Sequence, residues 1–567
     1  MTLYIRRAHG LMPSISRYFP FLRWPRPDAA LLRSEAVAGL TVGLMVIPQG
    51  VAYAGLAGMP LVTGIYASML PALVAVLFGA SQRLSVGPTA LSCLLVSASL
   101  AGLAQPSSSE WVSLAVWLAL LSGLLQVMLG VVRFGWLLNL VNAPVLMAFT
   151  QAAAVLIVAS QTGDLLGWNG SREELAEAWS KLHPLSLAFG VGSLVLLIAV
   201  RRWKPAFPSV LVIVLCSAAL SQWLGFAGTG GRVVGELPGG MPSLYWPHWP
   251  GWPILGQLAM PILAITLISF LETASSAKVD NAQQGTPWNQ NQDLIGQGLA
   301  KVTSGLCGAF PTSSSFSRSA LNLYAGARTG WATVASVLMV AAALQWLLPV
   351  LIHVPKAVLA AIVIVAVLGL IKPMEFRRLW SIARIEAATA MATFAVTLLA
   401  APQLYWGVLA GAFMALSHFL YKRLHPRIVE VGLHADGRLR DRHEWNLPRL
   451  TPNTYVVRLD AALDFGSAGA LEQSINDYLV ARPETRRVVL LAQSINSIDA
   501  TGVETFARLR SQLALQKREL WIVGVKLPVE TVLNNAGLLS SADSFRWISS
   551  DRELLSALGS KQENTGN

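Results

Sequence analysis

Between Glu35 and Arg83 the chain carries no charged side chain, and similarly bare stretches run from Arg83 to Glu110, Arg133 to Asp164, Glu236 to Glu272, Arg328 to Lys356 and Glu386 to Lys422. A helix crosses the hydrocarbon core of a bilayer with roughly 20 apolar residues. The first stretch therefore holds two crossings, and several of the others hold one or two. With 54% hydrophobic and only 13% charged residues, the sequence is too poor in charge for an ordinary soluble protein and reads as a polytopic membrane protein.

Hydropathy and turn residues predict about fourteen spans, starting near Ala36, Leu61, Gly87, Trp111, Leu137, Pro184, Pro205, Ile254, Gln292, Ser315, Trp331, Lys356, Ile382 and Pro402. With the N-terminus placed in the cytoplasm, most Arg and Lys of the loops fall inside, among them Arg6, Arg7, Arg17, Arg83, Arg133, Lys204, Arg328 and Arg377. Only Arg172, Lys181, Arg232 and Lys356 fall outside. That bias puts both ends of the membrane part in the cytoplasm of a cell (inner or plasma) membrane. A basic leader without a short apolar core predicts no cleavable signal peptide. Trp111, Trp136, Trp203, Trp246, Trp249, Trp252, Trp331, Trp380 and Trp406 fall near span ends, as interfacial indoles do.

Beyond Tyr421 the apolar runs shorten to strand length and alternate with amphipathic stretches, the pattern of a small α/β domain. Strands are predicted at Tyr455 to Leu459, Val488 to Ala492, Leu520 to Val525 and Phe545 to Ile548. Helices are predicted at Ala468 to Leu479, Gly502 to Leu515, Pro528 to Asn535 and Asp551 to Leu558. The division is then a basic N-terminal segment 1–35, a transmembrane domain 36–423, a linker 424–437, the α/β domain 438–560 and a flexible tail 561–567. Residues 424–567 hold equal numbers of basic and acidic side chains, so the net charge of +12 belongs to the membrane part and implies no nucleic-acid partner. Cys93, Cys216 and Cys307 lack metal-ligand spacing and read as packing residues, which leaves neither a metal site nor a cofactor in view. His183, His248, His353, His418 and His425 lie near span ends and form no cluster. Without a nucleophile–base pair the chain does not read as an enzyme, and without a phosphate-binding loop it does not read as an ATP-driven pump.

Three charges sit within the apolar second half: Glu272, Lys301 and Arg318. An ionisable group near mid-bilayer costs at least about 2.5 kcal/mol and persists where a partner, a hydrated cavity or a ligand offsets it. Two segments are also interrupted by Gly or Pro and followed by hydroxyl residues and an apolar helix. These are Ser85-Val86-Gly87-Pro88-Thr89 and Phe310-Pro311-Thr312-Ser313-Ser314-Ser315-Phe316-Ser317-Arg318. Each presents free amides and a positive helix end to the bilayer interior, and two such ends face to face make an anion cradle. Arg318, a cation in a first helical turn, fits such a cradle only with a negative ligand beside it.

Pro48-Gln49-Gly50-Val51-Ala52-Tyr53-Ala54-Gly55-Leu56-Ala57-Gly58-Met59-Pro60, Gly64-Ile65-Tyr66, Leu84-Ser85-Val86-Gly87-Pro88 and Ser315-Phe316-Ser317-Arg318-Ser319-Ala320-Leu321-Asn322 resemble the SulP sulfate permease family. The α/β domain resembles the STAS module with its Asp-x-Thr-Gly loop at Asp499 to Gly502. The resemblance implies fourteen spans in a 7+7 inverted repeat, with a core (spans 1 to 4 and 8 to 11), a gate (spans 5 to 7 and 12 to 14) and a cytoplasmic STAS domain. It implies an anion between spans 3 and 10, lined by Gln49, Tyr53, Thr89, Phe316, Ser317 and Arg318, and a homodimer working by elevator movement. It also implies coupling through Glu272, with protons first and sodium second. Lys301 departs from the family pattern and is expected beside Glu272 as a substitute for a coupling cation. Asp499 and Thr501 are the candidate regulatory residues, Thr501 at a position phosphorylated in some STAS proteins, and the domain is a candidate docking module for a cytoplasmic protein.

The expected function is secondary active transport, proton-coupled sulfate uptake by alternating access. The alternatives are sodium-coupled bicarbonate or C4-dicarboxylate transport, a channel-like anion conductor, or a membrane anion sensor signalling through the STAS domain.

Overall fold

A computed structural model describes residues 19–136, 142–168, 183–203, 209–235 and 240–559. The expected span starts at Leu137 and Pro205, the leader arginines Arg6, Arg7 and Arg17, the loop residues Arg172, Lys181 and Lys204, and the tail 561–567 lie outside the described residues. The chain forms two compact units, Met1–Ala415 and Leu416–Asn567.

Among the described residues of the first unit and its C-terminal helix, fourteen helical segments correspond to the expected spans. They are span 1 (Ala29–Leu56), 2 (Thr63–Phe78), 3 (Ala90–Leu100), 4 (Ser109–Val131), 5 (Ala143–Leu166), 6 (Pro184–Trp203), 7 (Ser209–Trp223), 8 (Trp252–Gln284), 9 (Gln290–Leu306), 10 (Phe316–Tyr324), 11 (Trp331–Trp346), 12 (Lys356–Leu368), 13 (Arg384–Leu399) and 14 (Tyr405–Leu424). Short polar residues start many of them. Asp28, Ser108, Asn142 and Asn289 each accept the amide three residues on, which satisfies one of the amides a helix start leaves free. Spans 1, 4, 5 and 8 and the stretch Lys356–Ile382, which begins with span 12, are long and apolar enough to cross a membrane. An amphipathic helix, Pro373–Ile382, precedes span 13 where the sequence reading placed a loop.

The two halves echo each other. Spans 1 and 8, seven apart, each carry an interior proline, Pro48 and Pro261. Spans 3 and 10, also seven apart, are each a two-residue strand followed by a short helix. Spans 4 and 9, 1 and 11, and 2 and 9 pack closely, as do 5 with 12 and 13, and 6 with 12, so the core and gate groupings hold. Trp111, expected at an interface, is instead buried under the span 1–2 turn, where its indole N–H donates to the Ala57 carbonyl at 3.0 Å.

Spans 4 and 9 approach closely in the core group. A Cβ on Gly123 would lie 2.7 Å from the Gly298 carbonyl oxygen and 2.9 Å from Lys301 Cβ. The absent side chain lets the two backbones meet with Lys301 enclosed between them.

The second unit is a six-stranded sheet in the order β4-β3-β5-β6-β7-β8. The strands are β3 (Ile428–Leu433), β4 (Leu439–Asp441), β5 (Thr454–Leu459), β6 (Arg487–Leu491), β7 (Glu519–Val523) and β8 (Phe545–Ile548). β5 to β8 run parallel, and β3 and β4 pair antiparallel at the β5 edge. Both faces are apolar and covered, as a parallel sheet requires. The four strands and four helices expected here are present within two residues of their predicted bounds. Residues 424–437, read as a linker, contribute β3 to this sheet.

Gly123→Ala must part the two helices, because neither neighbour is the end of a flexible side chain. We expect it to cost about 1–3 kcal/mol, seen as a lower thermal unfolding midpoint of the purified protein. An unchanged midpoint would contradict this close approach.

Candidate functional site

The two interrupted segments cross. Val86 pairs with Ser314 and Gly87 with Ser313 in an antiparallel two-strand ladder, β1 (Val86–Gly87) against β2 (Ser313–Ser314). The ladder continues through the Ser315 amide, which donates to the Ser85 carbonyl at 2.9 Å. Because the strands are antiparallel, the helices that follow them leave in opposite directions, and both positive ends point back at the crossing. The helix of span 3 is 11 residues and that of span 10 is 9. At 1.5 Å per residue they reach about 16 and 14 Å, roughly half a bilayer core each.

Short hydroxyl residues begin both helices. Thr89 caps span 3 by accepting from the Ser92 amide at 3.3 Å, and Ser315 caps span 10 by accepting from the Arg318 amide at 3.5 Å. The Thr89 hydroxyl also donates to Glu272 Oε2 at 3.2 Å, tying the cap of span 3 to span 8. Ser313 donates to the Ser269 carbonyl of the same span at 3.3 Å.

Arg318 lies across the crossing and is 2% exposed. Its Nη1 donates to the Pro88 carbonyl at 2.9 Å and its Nε to Ser85 Oγ at 3.3 Å. Its Nη2 is buried without a hydrogen-bond partner among the described residues. The guanidinium thus holds the end of β1 in place and keeps one donor unspent. Three further buried oxygens on these segments and on span 1 lack partners: Gln49 Oε1, Thr312 Oγ1 and Ser314 Oγ. Gln49 and Tyr53, four apart on one face of span 1, are both buried. Tyr53 lies within electrostatic range of Arg318 and Glu272, as does Cys93 from span 3. Phe316, at 54%, and Ser317 are exposed, so the first turn of span 10 keeps one side open.

Lys301 is fully buried and lies within electrostatic range of Glu272, as expected, but among the described residues its ammonium hydrogen-bonds elsewhere. It donates to Gln126 Oε1 of span 4 at 2.6 Å and to Ser269 Oγ of span 8. Gln126 also donates to Ser269 Oγ, at 3.1 Å. Ser269 and Glu272 are three apart on one helix, so the lysine sits about one turn from the carboxylate, behind Ser269. Sequence reasoning missed Gln126 and Ser269 because nothing in their local spacing marks them. It also passed over Ser85, Thr312 and Ser313, although these lie inside the motifs it quoted.

In the second unit, Asp499 Oδ1 accepts the Gly502 amide at 2.8 Å and Oδ2 the Phe465 amide at 3.0 Å. These bonds hold its carboxyl below the usual carboxylate range. Thr501 does not cap the helix; it is exposed in the first turn of Ala500–Leu515.

The register predicts a covalent test. Since Ser85 and Ser315 form a hydrogen-bonded pair, Val86 and Ser314 form the intervening non-hydrogen-bonded pair, in which side chains approach most closely. The double variant Val86→Cys, Ser314→Cys is expected to form a disulfide under mild oxidation, read by the mobility of proteolytic fragments before and after reduction. Absence of the bond would refute the crossing.

Known proteins agree with this architecture. The profile of the Sulfate permease family matches residues 32–393 and that of the STAS domain residues 448–553. A probable sulfate transporter of Mycobacterium tuberculosis is 30% identical over 90% of this chain and 92% of its own. Sulfate transporter 4.1, chloroplastic, of Arabidopsis thaliana is 29% identical over 93% of this chain and 81% of its own. The structure of murine Solute Carrier 26 family member A9, an anion transporter in the inward-facing state, superposes with a TM-score of 0.87 at 17% identity, covering 98% of this chain and 97% of that one. The transmembrane domain of the cyanobacterial bicarbonate transporter BicA gives 0.59 at 20% identity over 68% of this chain and 98% of its own. The chain is a multi-pass membrane protein that belongs to the sulfate permease family and carries a C-terminal STAS domain.

Proposed function

We propose that the protein is a secondary active transporter that takes up sulfate together with protons, binding the anion where spans 3 and 10 cross. The observation that carries this reading is a set of buried polar atoms without partners among the described residues: Arg318 Nη2 and Ser314 Oγ at the crossing, Thr312 Oγ1 in the residue before it and Gln49 Oε1 on span 1. A buried polar atom without a partner costs about 1–3 kcal/mol, and a ligand that reaches these groups recovers that cost. The asparagine-like amide of Gln49 can present either end to a ligand.

The charges suit a dianion. Each helix start is equivalent to roughly half a positive charge, and Arg318 adds a full one, so the crossing offers about two. Thr89, Ser317 and Tyr53 supply hydroxyl donors, and the Phe316 ring borders the open side. Arginine and amide donors are the groups that best match tetrahedral oxyanions.

Glu272 supplies the coupling. While it is ionised it repels the dianion and draws the Thr89 hydroxyl proton toward itself. Protonation removes the repulsion and releases that hydroxyl to donate to the substrate. Proton and anion therefore favour each other's binding, the thermodynamic requirement for symport. Alternating access follows from movement of the core group against the gate group in an elevator fashion within a homodimer. A regulatory role for Asp499 and Thr501 rests on the exposed Thr501 hydroxyl at a helix start, where an added phosphate dianion beside the Asp499 carboxylate would reorganise the loop.

Purified protein in liposomes, given labelled sulfate, bicarbonate, fumarate or chloride with and without an inward proton gradient, tests the proposal. Saturable sulfate accumulation that follows the proton gradient is expected. Arg318→Ala should abolish it, while Glu272→Gln should keep sulfate exchange and lose the response to the gradient. Normal sulfate affinity in Arg318→Ala would refute the site, and saturable uptake of another anion in preference would refute the substrate.

Lys301 acts here as a fixed internal cation that takes the place of a transported one. Lys301→Asn removes that charge while keeping a polar group, and uptake is expected to become sodium-dependent or to change its pH profile. Unchanged dependence on both would leave Lys301 a packing residue only.

A further inference from the structure

Between spans 12 and 13 of the gate group the chain forms a ten-residue helix, Pro373–Ile382. Its start is tied to span 5, where Gln151 Oε1 accepts the Lys372 amide at 2.8 Å. Phe376 and Leu379, three apart, are half-buried, and the Phe376 ring meets Phe394 of span 13 edge-on at 5.6 Å. The opposite face carries Met374, Arg377, Arg378 and Ser381 at the i, i+3, i+4 and i+7 positions of one helical stripe, all of them exposed.

The level of this helix in the bilayer follows from the length of chain before it. The helix of span 12, Lys356–Leu368, is 13 residues long. At 1.5 Å per helical residue and at most about 3.5 Å per extended one, residues 356–372 reach no farther than about 34 Å, close to the roughly 30 Å of one hydrocarbon core. With Lys356 at one surface, the helix Pro373–Ile382 starts among the headgroups of the other, the surface that the basic loops mark as cytoplasmic.

Four cations gather there, Lys372, Arg377, Arg378 and Arg384, with two carboxylates, Glu375 and Glu386. Arg378 approaches Glu375 only to 3.9 Å and both are exposed, so water screens that pair. The side chains of Lys372, Arg377 and Arg384 make no hydrogen bond or ion pair among the described residues. Beside them Trp380, Ile382 and Ile385 stand 48%, 71% and 57% exposed. Open indole and aliphatic groups next to unpaired cations match the boundary between headgroups and acyl chains, where the apolar parts sink and the charges stay among the phosphates.

From this we infer that residues 372–386 are a docking surface for anionic phospholipid. Lys372, Arg377, Arg378 and Arg384 meet the lipid phosphates, and Trp380, Ile382 and Ile385 enter the acyl boundary. Two observations single out the bilayer as the partner: the surplus of positive charge, and the continuity of the apolar edge with Met391 and Leu399, which span 13 leaves exposed farther along. The surface shares no residue with the crossing. Bound lipid holds the turn between spans 12 and 13 against one leaflet and so fixes the gate group in the membrane.

The test uses the full-length protein in neutral detergent and does not depend on transport. Thermal unfolding is followed against the mole fraction of added phosphatidylglycerol or phosphatidylcholine in wild type, in Arg377→Gln/Arg378→Gln and in Arg26→Gln/Arg33→Gln, which removes two exposed arginines near the start of span 1. Wild type is expected to show a saturable rise in midpoint with phosphatidylglycerol and not with phosphatidylcholine. The mole fraction giving half the rise should increase about tenfold or more in Arg377→Gln/Arg378→Gln, and stay as in wild type in Arg26→Gln/Arg33→Gln. An equal response to phosphatidylcholine, no saturable rise, an unchanged response in Arg377→Gln/Arg378→Gln, or the same loss in Arg26→Gln/Arg33→Gln would overturn the assignment, the last meaning that net charge alone draws the lipid. Should Arg377→Gln/Arg378→Gln lack a cooperative transition, wild type labelled with a photoreactive phosphatidylglycerol decides the matter. Label on peptides covering residues 372–386 is expected, and its absence from them refutes the surface.

Discussion

A membrane interior leaves no water to satisfy a backbone amide or carbonyl, so a chain that stops its helices halfway must find partners for the groups it bares. Spans 3 and 10 solve this by using each other. Val86 to Gly87 pairs with Ser313 to Ser314, the Ser315 amide meets the Ser85 carbonyl, and the Ser85 amide is taken up by the Ser319 hydroxyl at 3.0 Å. Arg318 completes the arrangement by binding the carbonyl of Pro88, the last residue before the span 3 cap. With the ladder in place, the helix starts are held at a common point without being quenched by each other. A helix that ran on through this level would bury those amides in its own hydrogen bonds and leave nothing to attract an anion.

Around that point two hydroxyls meet the intramembrane charges: Thr89, the cap of span 3, donates to Glu272, and Ser269 of span 8 accepts from Lys301. Direct ion pairs would neutralise the site, and a carboxylate fixed on arginine would resist protonation. On the proposed reading, a hydroxyl contact in place of an ion pair would leave Glu272 free to exchange a proton. The close approach of Gly123 and Gly298 belongs to the same arrangement, because it encloses Lys301 between spans 4 and 9.

Much of this was legible in the sequence. Charge-free runs set the spans because a charge inside lipid is costly wherever it falls, and the interrupted segments were visible because Gly87, Pro88 and Pro311 have few other uses inside an apolar helix. The register of the crossing was not legible, since it depends on two segments more than two hundred residues apart meeting residue for residue. Lys301 was expected near Glu272 as a stand-in for a coupling cation, which says nothing of the groups that hold it. Gln126, from the first half, supplied a polar partner that no local pattern announced. The strand Ile428–Leu433 was read as linker because Glu430 and Gly432 interrupt its apolar alternation. In the fold Glu430 is buried among Arg442, Arg449, His443 and the Tyr478 hydroxyl, so its charge is met by tertiary contacts the sequence does not show.

Lys301 and Arg318 differ in what they leave available, and that difference assigns their parts. Two of the ammonium's three hydrogens are spent on Gln126 and Ser269, and Ser269 in turn accepts from Gln126 and donates to the Thr266 carbonyl at 3.3 Å. Any movement of the lysine would strand several buried groups at once, so it acts as a stationary charge. The guanidinium spends two of its nitrogens on the crossing and keeps Nη2 unspent. A planar, always charged group can brace the backbone with one edge and still address a ligand with another, which a lysine at the same position would not do. In the transport cycle proposed above, the fixed cation behind span 8 would set the local potential and the arginine at the crossing would meet the anion.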